Sequence, residues 1–283
     1  MSAPALCLCR ILGNDLPPLH DAAQSPTNLA YLLAHEPALP RCHKRFVLNR
    51  IVDAEREAQL AAMLHDAGHP VDRIAIDPAQ YRALPTARAR AEYLTNNNGA
   101  RNHAIALGLA QADVVLPFDG QIMLPAGAWA QLLADVDAQP QCIAYAVPMV
   151  RLLAGEDPEQ AAARGRHEAH GPSEPQLAIG SRCAARFDPA IAYGRGPKIE
   201  LLLRLGVAGP WDQWQDPYWA QLRSRPRVAA PGEVGRAGVC VRLPSGNDAA
   251  TVDIAARQRD RAAGVRALLA RADAQLFARP AGG

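Results

Sequence analysis

The chain has 283 residues, of which 49% are apolar and 20% are charged, and its formal net charge is +2. This composition excludes an intrinsically disordered segment, a collagen-like repeat and a small disulfide scaffold, and the length is sufficient to bury a core. The nearly balanced charge and the lack of a polybasic run give no indication of binding to nucleic acid or to a membrane surface. Six cysteines without CxxC spacing, and no apolar segment of membrane-spanning length, predict a cytoplasmic protein with free thiols and no membrane span.

The first half of the chain alternates between short apolar runs and longer amphipathic segments. The apolar runs predict strands at 5–12, 45–52, 71–76, 114–118 and 142–152. The amphipathic segments predict helices at 27–35 (with Thr27 as the N-cap), 53–67, 96–111 and 127–136, and a mixture of loop and helix at 81–94. This alternation predicts an α/β fold with a mostly parallel, Rossmann-like sheet that has helices on both faces.

The second half of the chain is less regular. Its pattern predicts a polar loop at 156–175, strands at 176–183 and 239–243, helices at 198–205 and 250–277, and an irregular tryptophan-rich segment at 209–219. We expect residues 1–155 to form a binding half and residues 156–283 to form an elaborated second half of the same domain.

Polar residues follow the predicted strands at the edge where a parallel sheet binds its ligands, beyond the carboxyl ends of the strands. Arg10, Asn14 and Asp15 lie in or after the first strand, and Asn49 lies in the second. We expect these four side chains to bind a ligand. The alternative for Asn14, Asp15 and Asn49 is an ordinary role in turns.

The segment from residue 96 to residue 128 carries the strongest chemical signal. An Asn/Gly-rich loop leads into a helix whose first turns contain Arg101 and Asn102, and the buried strand that follows ends at Asp119. A helix N-terminus beside an arginine favours a diphosphate. A carboxylate at the end of the strand is suited to hold Mg²⁺ or Mn²⁺ against that diphosphate.

These residues carry a resemblance to family-2-like GT-A glycosyltransferases, which spans roughly residues 5–150. The family has an Ala-Arg-Asn helix, a strand with a DxD motif, and then a segment similar to LPPGAL. The matching segments here are 100–102, 118–121 and 124–128.

The resemblance implies a GT-A fold in which residues 1–155 bind a nucleotide diphosphate sugar and residues 156–283 form the acceptor side. It places the metal and the diphosphate at Asp119, with Arg101, Asn102 and Gln121 beside them. It places the nucleoside at Arg10, at Asn14 and Asp15, and at Asn49 or else Asp53.

The sequence departs from the family pattern at two positions. Gln121 replaces the second acid of the DxD motif, and a neutral amide is a weaker metal ligand than a carboxylate. This change is compatible with looser metal binding, with metal-independent diphosphate binding or with a lost activity. The Glu-Asp motif that supplies the family's catalytic base falls on Pro197 and Lys198, so the expected base is missing.

Two carboxylates are candidates to replace that base, namely Glu200 and Asp188. The alternative for Glu200 is a helix-surface carboxylate or a partner of Lys198 or Arg204 on the same helix. Lys198 is one of only two lysines, which suggests a contact to phosphate or to an acceptor carboxylate, with chance retention as the alternative.

The sequence therefore predicts a glycosyltransferase that moves a sugar from a nucleotide diphosphate sugar to a hydroxyl acceptor, which is a polysaccharide, a glycolipid or a small molecule. One alternative is a sugar-phosphate nucleotidyltransferase, and another is a non-catalytic protein of the same fold that binds nucleotide or sugar. The absence of HExxH, GxSxG, GxxxxGK[ST] and GxGxxG motifs disfavours zinc proteases, α/β-hydrolases, P-loop enzymes and dehydrogenases. The donor sugar, the stereochemistry and the oligomeric state are left open.

Overall fold

A computed structural model describes residues 3–16, 24–167, 174–191, 194–228, 232–244 and 254–277, without the side chains of residues 167 and 254–258. Parts of two predicted segments lie outside these residues: 168–173 of the polar loop and 250–253 of the C-terminal helix.

The described residues form two sheets. The strands are β1 (Leu6–Leu12), β2 (Cys42–Asn49), β3 (Val71–Ile74), β4 (Val114–Asp119), β5 (Ile122–Met123), β6 (Ala144–Val147), β7 (Met149–Arg151), β8 (Gln176–Gly180), β9 (Val234–Arg236) and β10 (Cys240–Arg242). The large sheet has the order β3-β2-β1-β4-β8-β6-β9, and only β8 runs against its neighbours. The small sheet has the order β5-β10-β7. The prediction of an α/β fold with a mostly parallel sheet is confirmed, and strands from both halves of the chain share the large sheet.

Helices connect the strands. They are α1 (Gln24–His35), α2 (Ala54–Asp66), α3 (Pro78–Ala83), α4 (Ala87–Thr95), α5 (Asn97–Leu109), α6 (Ala126–Ala138), α7 (Pro158–His167), α8 (Pro197–Arg204), α9 (Pro217–Arg223) and α10 (Ile254–Leu276), with a 3-10 helix at Pro210–Gln213. Within the described ranges, no helix combines the length and the apolar character that crossing a membrane requires.

Three predicted elements differ from the structure for identifiable reasons. Helix α1 begins at Gln24, so Thr27 lies inside it and is not its N-cap. The strand predicted at 142–152 divides at Pro148, which has no N–H to continue a ladder, and its two parts join different sheets. The polar segment predicted as a loop contains α7, whose first turn is capped by the side chain of Asp157.

The alternating side chains of β1 pack against opposite layers. Cys7 and Cys9 are buried on the side that also contains Ala104 of α5, whereas Leu6 and Leu8 belong to the cluster around Trp129 of α6. The prediction that the two thiols share one strand face agrees with a distance of 3.5 Å between their sulfur atoms. Because side chains of β1 are buried on both faces of the sheet, α5 and β4, which belong to the 96–128 segment, are held in fixed positions relative to each other.

Helix α5 approaches β4 so closely that it needs a glycine at the contact. A Cβ atom on Gly108 would lie 2.6 Å from Cγ2 of Val115. We expect Gly108→Ala to lower the free energy of unfolding by about 1 kcal/mol, because overpacking a rigid core outweighs the gain in helix propensity. Urea denaturation measures this change.

Val115→Ala provides the control for this prediction, since it removes the methyl groups that the new Cβ would meet. The double variant should be more stable than the sum of the two single changes predicts. Strict additivity would contradict a steric origin.

Candidate functional site

A polar pocket lies where the strand order of the large sheet changes direction. From β1 the sheet continues to β2 and β3 on one side and to β4 on the other, and parallel sheets bind ligands at such a point. The pocket has a volume of about 320 Å³, and its wall includes the ends of three parallel strands at Leu12, Asn49 and Asp119. The topology alone therefore explains why the polar strand ends meet here.

The wall of the pocket is rich in charge. Its charged members are the cations Arg101, Lys198, Arg242 and Arg261 and the carboxylates Asp15, Asp119 and Glu174. Asn97 and Asn98, the first residues of α5, also line it, so the positive end of that helix dipole lies at the wall. Among the described residues of the wall there are four cations and three carboxylates, and together with the helix N-terminus they favour an anionic ligand.

Asp119 lies between two of these cations. Its Oδ1 accepts a hydrogen bond of 2.7 Å from Nη2 of Arg101, and its Oδ2 accepts one of 2.7 Å from Nζ of Lys198. The side-chain amide of Gln176 also donates to Oδ2, at 3.2 Å. Burial alone would raise the pKa of Asp119, but Lys198 and Arg101 outweigh it and hold the pKa well below its usual range. Asp119 is therefore a carboxylate that holds two cations in the wall of the pocket.

Glu174 fixes the helix that carries Lys198. The backbone N–H groups of Lys198 and Ile199 donate to Oε1 of Glu174, at 2.8 and 3.4 Å, which caps the first turn of α8. Sequence analysis did not single out Glu174. Its position follows from β8, which runs antiparallel to β4 and so begins beside the carboxyl end of β4, and no motif signals that direction.

The residues predicted at the first strand end line the pocket and also build its wall. Asn14 donates from Nδ2 to the carbonyl of Arg50 at 2.8 Å and accepts from the N–H of Val52 at 2.8 Å. Asp15 accepts from the N–H and the hydroxyl of Ser25. Both side chains therefore join loops at the sheet edge, as the alternative role in turns predicted, while they remain part of the lining.

Asn49 has a similar double position. It is buried, it lines the pocket, and its side chain donates to the carbonyl of Thr95 at 2.9 Å and accepts from Nδ2 of Asn96 at 2.9 Å. These bonds attach β2 to the start of α5. Gln121 also lines the pocket, whereas Asp53 caps α2.

Two predicted ligand contacts lie elsewhere. Arg10 is buried against Glu36, with a bond of 2.9 Å from Nη1 to Oε2, and donates from Nε to the carbonyl of Ile122. Asn102 exchanges hydrogen bonds of 2.8 and 2.9 Å with the backbone of Phe187. Both polar side chains therefore have buried or backbone partners outside the lining of the pocket, and their contacts to a ligand stay predictions.

The two candidate bases are also structural. Glu200 is fully buried and binds Arg204 and Arg225, and Asp188 binds the same Arg225 at 2.6 Å. Burial acts to raise the pKa of Asp188, but the N–H of Ala190 and Arg225 lower it overall. The pocket, as the described residues form it, includes neither carboxylate. For Glu200 the contact agrees with the alternative of a partner for Arg204, and a role as the base stays a prediction for both carboxylates.

The residues at Asp119 do not fit a Mg²⁺ or Mn²⁺ site. Both oxygens of Asp119 already accept from cations, and Gln121 offers a neutral side chain where a second acid is expected. Over the described ranges, no three His, Cys, Asp or Glu side chains lie together as metal ligands would. In the structure, the expected metal ligand is a partner of Lys198 and Arg101.

No protein-family model and no curated protein matches the sequence. Solved structures with a similar chain path include a 1–349 fragment of S. aureus TarS (TM-score 0.42, 10% identity, 70% of this chain and 55% of that chain). They also include the mannosyltransferase PcManGT from Pyrobaculum calidifontis in complex with GDP-Man and Mn²⁺ (TM-score 0.42, 11% identity, 88% and 59%), and the TarS fragment in complex with UDP (TM-score 0.45, 9% identity, 96% and 74%). The chain thus spans little more than half the length of the first two, and TM-scores below 0.5 do not identify its family or its function.

The structural role of Glu200 predicts a loss of stability. We expect Glu200→Gln to lower the free energy of unfolding by about 2 kcal/mol, because the buried amide loses the negative charge that Arg204 and Arg225 share and turns an N–H2 donor toward these two cations. Chemical denaturation measures the change.

Glu92→Gln is the matched control, since Glu92 forms the exposed i,i+4 pair with Arg88. Its loss should change the stability by no more than about 0.5 kcal/mol. Equal, small effects of the two substitutions would contradict a structural role for Glu200.

Proposed function

We propose that the pocket binds a nucleotide diphosphate sugar and that the chain transfers the sugar to a hydroxyl acceptor. The observation that carries this proposal is the joint position of Arg101, Lys198 and the start of α5 in one pocket at the sheet's switch point. A diphosphate is the ligand that this combination of fixed cations and helix N-terminus suits best. The resemblance of residues 100–128 to GT-A glycosyltransferases supports the same ligand class.

The lining of the pocket suits both parts of such a donor. Asn14, Asp15 and Asn49 supply amide and carboxylate groups at the ends of β1 and β2, where a nucleoside would be recognised by hydrogen bonds. Arg101 and Lys198 supply charge where the diphosphate would lie. A volume of about 320 Å³ is within the range of small-molecule sites.

The proposed reaction forms a bond between the acceptor oxygen and the anomeric carbon and breaks the bond from that carbon to the diphosphate. Negative charge then grows on the departing diphosphate, and Arg101 and Lys198 stabilise it because they are already fixed nearby. The hydroxyl proton passes to a carboxylate in the pocket wall. Glu174 is the candidate, since Asp119 is held by two cations and Asp15 lies among the groups that would recognise the nucleoside.

A second candidate function is the binding of a nucleotide sugar without transfer. Two observations favour it. Glu200 and Asp188 lie outside the pocket that the described residues form, and Lys198 stands where the resembled family has its base. The two functions share the ligand and differ only in turnover.

A titration of the full chain with UDP, GDP, CDP and dTDP tests the shared claim, and release of the nucleoside diphosphate from its sugar conjugates tests turnover. We expect Arg101→Met to weaken binding of the best nucleotide by about tenfold or more, because a charge-assisted contact is lost. Calorimetry measures the dissociation constant.

The control for this variant is Arg88→Met, a change of the same kind at an exposed arginine outside the pocket. It should leave binding unchanged. Binding without release of the nucleotide from any sugar conjugate would favour the second candidate, and no binding of any of the four nucleotides would contradict both.

A further inference from the structure

Nζ of Lys198 is bonded to Asp119, the carboxylate at which the resemblance places a divalent cation. We propose that the ammonium group of Lys198 acts as the built-in cation for the diphosphate, so that the nucleotide binds without a divalent metal. This inference rests on the proposed function, because it concerns how that same pocket holds its ligand.

The geometry of Lys198 leaves it able to bind a second anion. Its Nζ atom donates to Oδ2 of Asp119 at 2.7 Å, and Oε2 of Glu174 is 4.0 Å away, beyond hydrogen-bonding distance. Asp119 is thus its one hydrogen-bond acceptor within the described ranges. An ammonium group has three N–H donors, so two remain for oxygen atoms of a ligand in the pocket.

The burial of Lys198 favours this role over that of a simple stabilising ion pair. Only 3% of its side chain is exposed, although the residue lines the pocket. A buried salt bridge adds little to stability because desolvating the two charges is costly. The same desolvation prepares the ammonium to bind an incoming anion, since water no longer competes for it and the side chain is already ordered.

The charges also match those of a metal site. Lys198 and Arg101 together bring two positive charges to the single negative charge of Asp119. A divalent cation on one carboxylate would leave the same net charge of one facing the diphosphate. The three side chains therefore carry the same net charge as a metal-carboxylate pair, and Glu174, with Oε2 4.0 Å from Nζ of Lys198, offsets part of it.

A divalent cation would have to compete with these groups. It would need an oxygen atom of Asp119 that is already bonded at 2.7 Å, and it would lie next to an ammonium and a guanidinium group. Repulsion between like charges at such distances is strong in a partly buried site. Added metal should therefore bring no gain in nucleotide affinity.

The test is a calorimetric titration of the full chain with UDP, GDP, CDP and dTDP, once in EDTA and once with Mn²⁺. We expect the nucleotide that binds to have the same dissociation constant under both conditions. In EDTA, Lys198→Met should weaken its binding by about tenfold to a hundredfold, since a buried charged donor is lost.

The chain supplies a matched control at its other lysine. Lys44→Met removes an ammonium that pairs with Glu36 outside the pocket, and it should leave nucleotide binding unchanged. A thermal melt of each variant checks that it is folded. The comparison of EDTA with Mn²⁺ uses the unmodified chain and therefore does not depend on the folding of any variant.

Each outcome decides between the claims. Binding that requires Mn²⁺, or a folded Lys198→Met variant that binds as well as the unmodified chain, would overturn this inference and leave the proposed function intact. Failure of all four nucleotides to bind under either condition would overturn the proposed function as well.

Discussion

The carboxylate of Asp119 is the charge on which the arrangement of the pocket depends. It ends β4 and holds Arg101 of α5 through one oxygen and Lys198 of α8 through the other, while Gln176 at the start of β8 donates to the second oxygen. Two cations with less than a tenth of their side chains exposed would not be stable here without that counter-charge. One ionised group thus fixes the relative positions of two helices and two strands at the sheet edge.

The direction of β8 is what brings the second half of the chain to this edge. Because β8 runs antiparallel to β4, the residues that enter it lie beside the end of β4, and Glu174 can cap α8 from there. A parallel strand in the same place would begin at the opposite edge of the sheet. The pocket is consequently built from both halves of the chain, which agrees with strands of both halves sharing the large sheet.

Local patterns predicted the fold, whereas the contacts that build the wall of the pocket join residues far apart in the sequence. The two-residue alternation of a strand predicted that Cys7 and Cys9 share one face of β1, and the alternation of strands and helices predicted the mostly parallel sheet. Both predictions depend only on residues that are close in the sequence. The pair of Asp119 and Lys198 joins residues 79 positions apart, and no period reports such a contact. The contact of Glu200 with Arg225 also joins distant segments, and a helical pattern alone does not show that partner.

The most direct test of this account is a crystal structure of the chain grown with its best-binding nucleoside diphosphate in the presence of Mn²⁺, with anomalous scattering used to locate manganese. The account predicts a diphosphate oxygen within hydrogen-bonding distance of Nζ of Lys198 and no manganese peak at Asp119. A manganese ion that bridges Asp119 and the diphosphate, with Lys198 displaced, would contradict it.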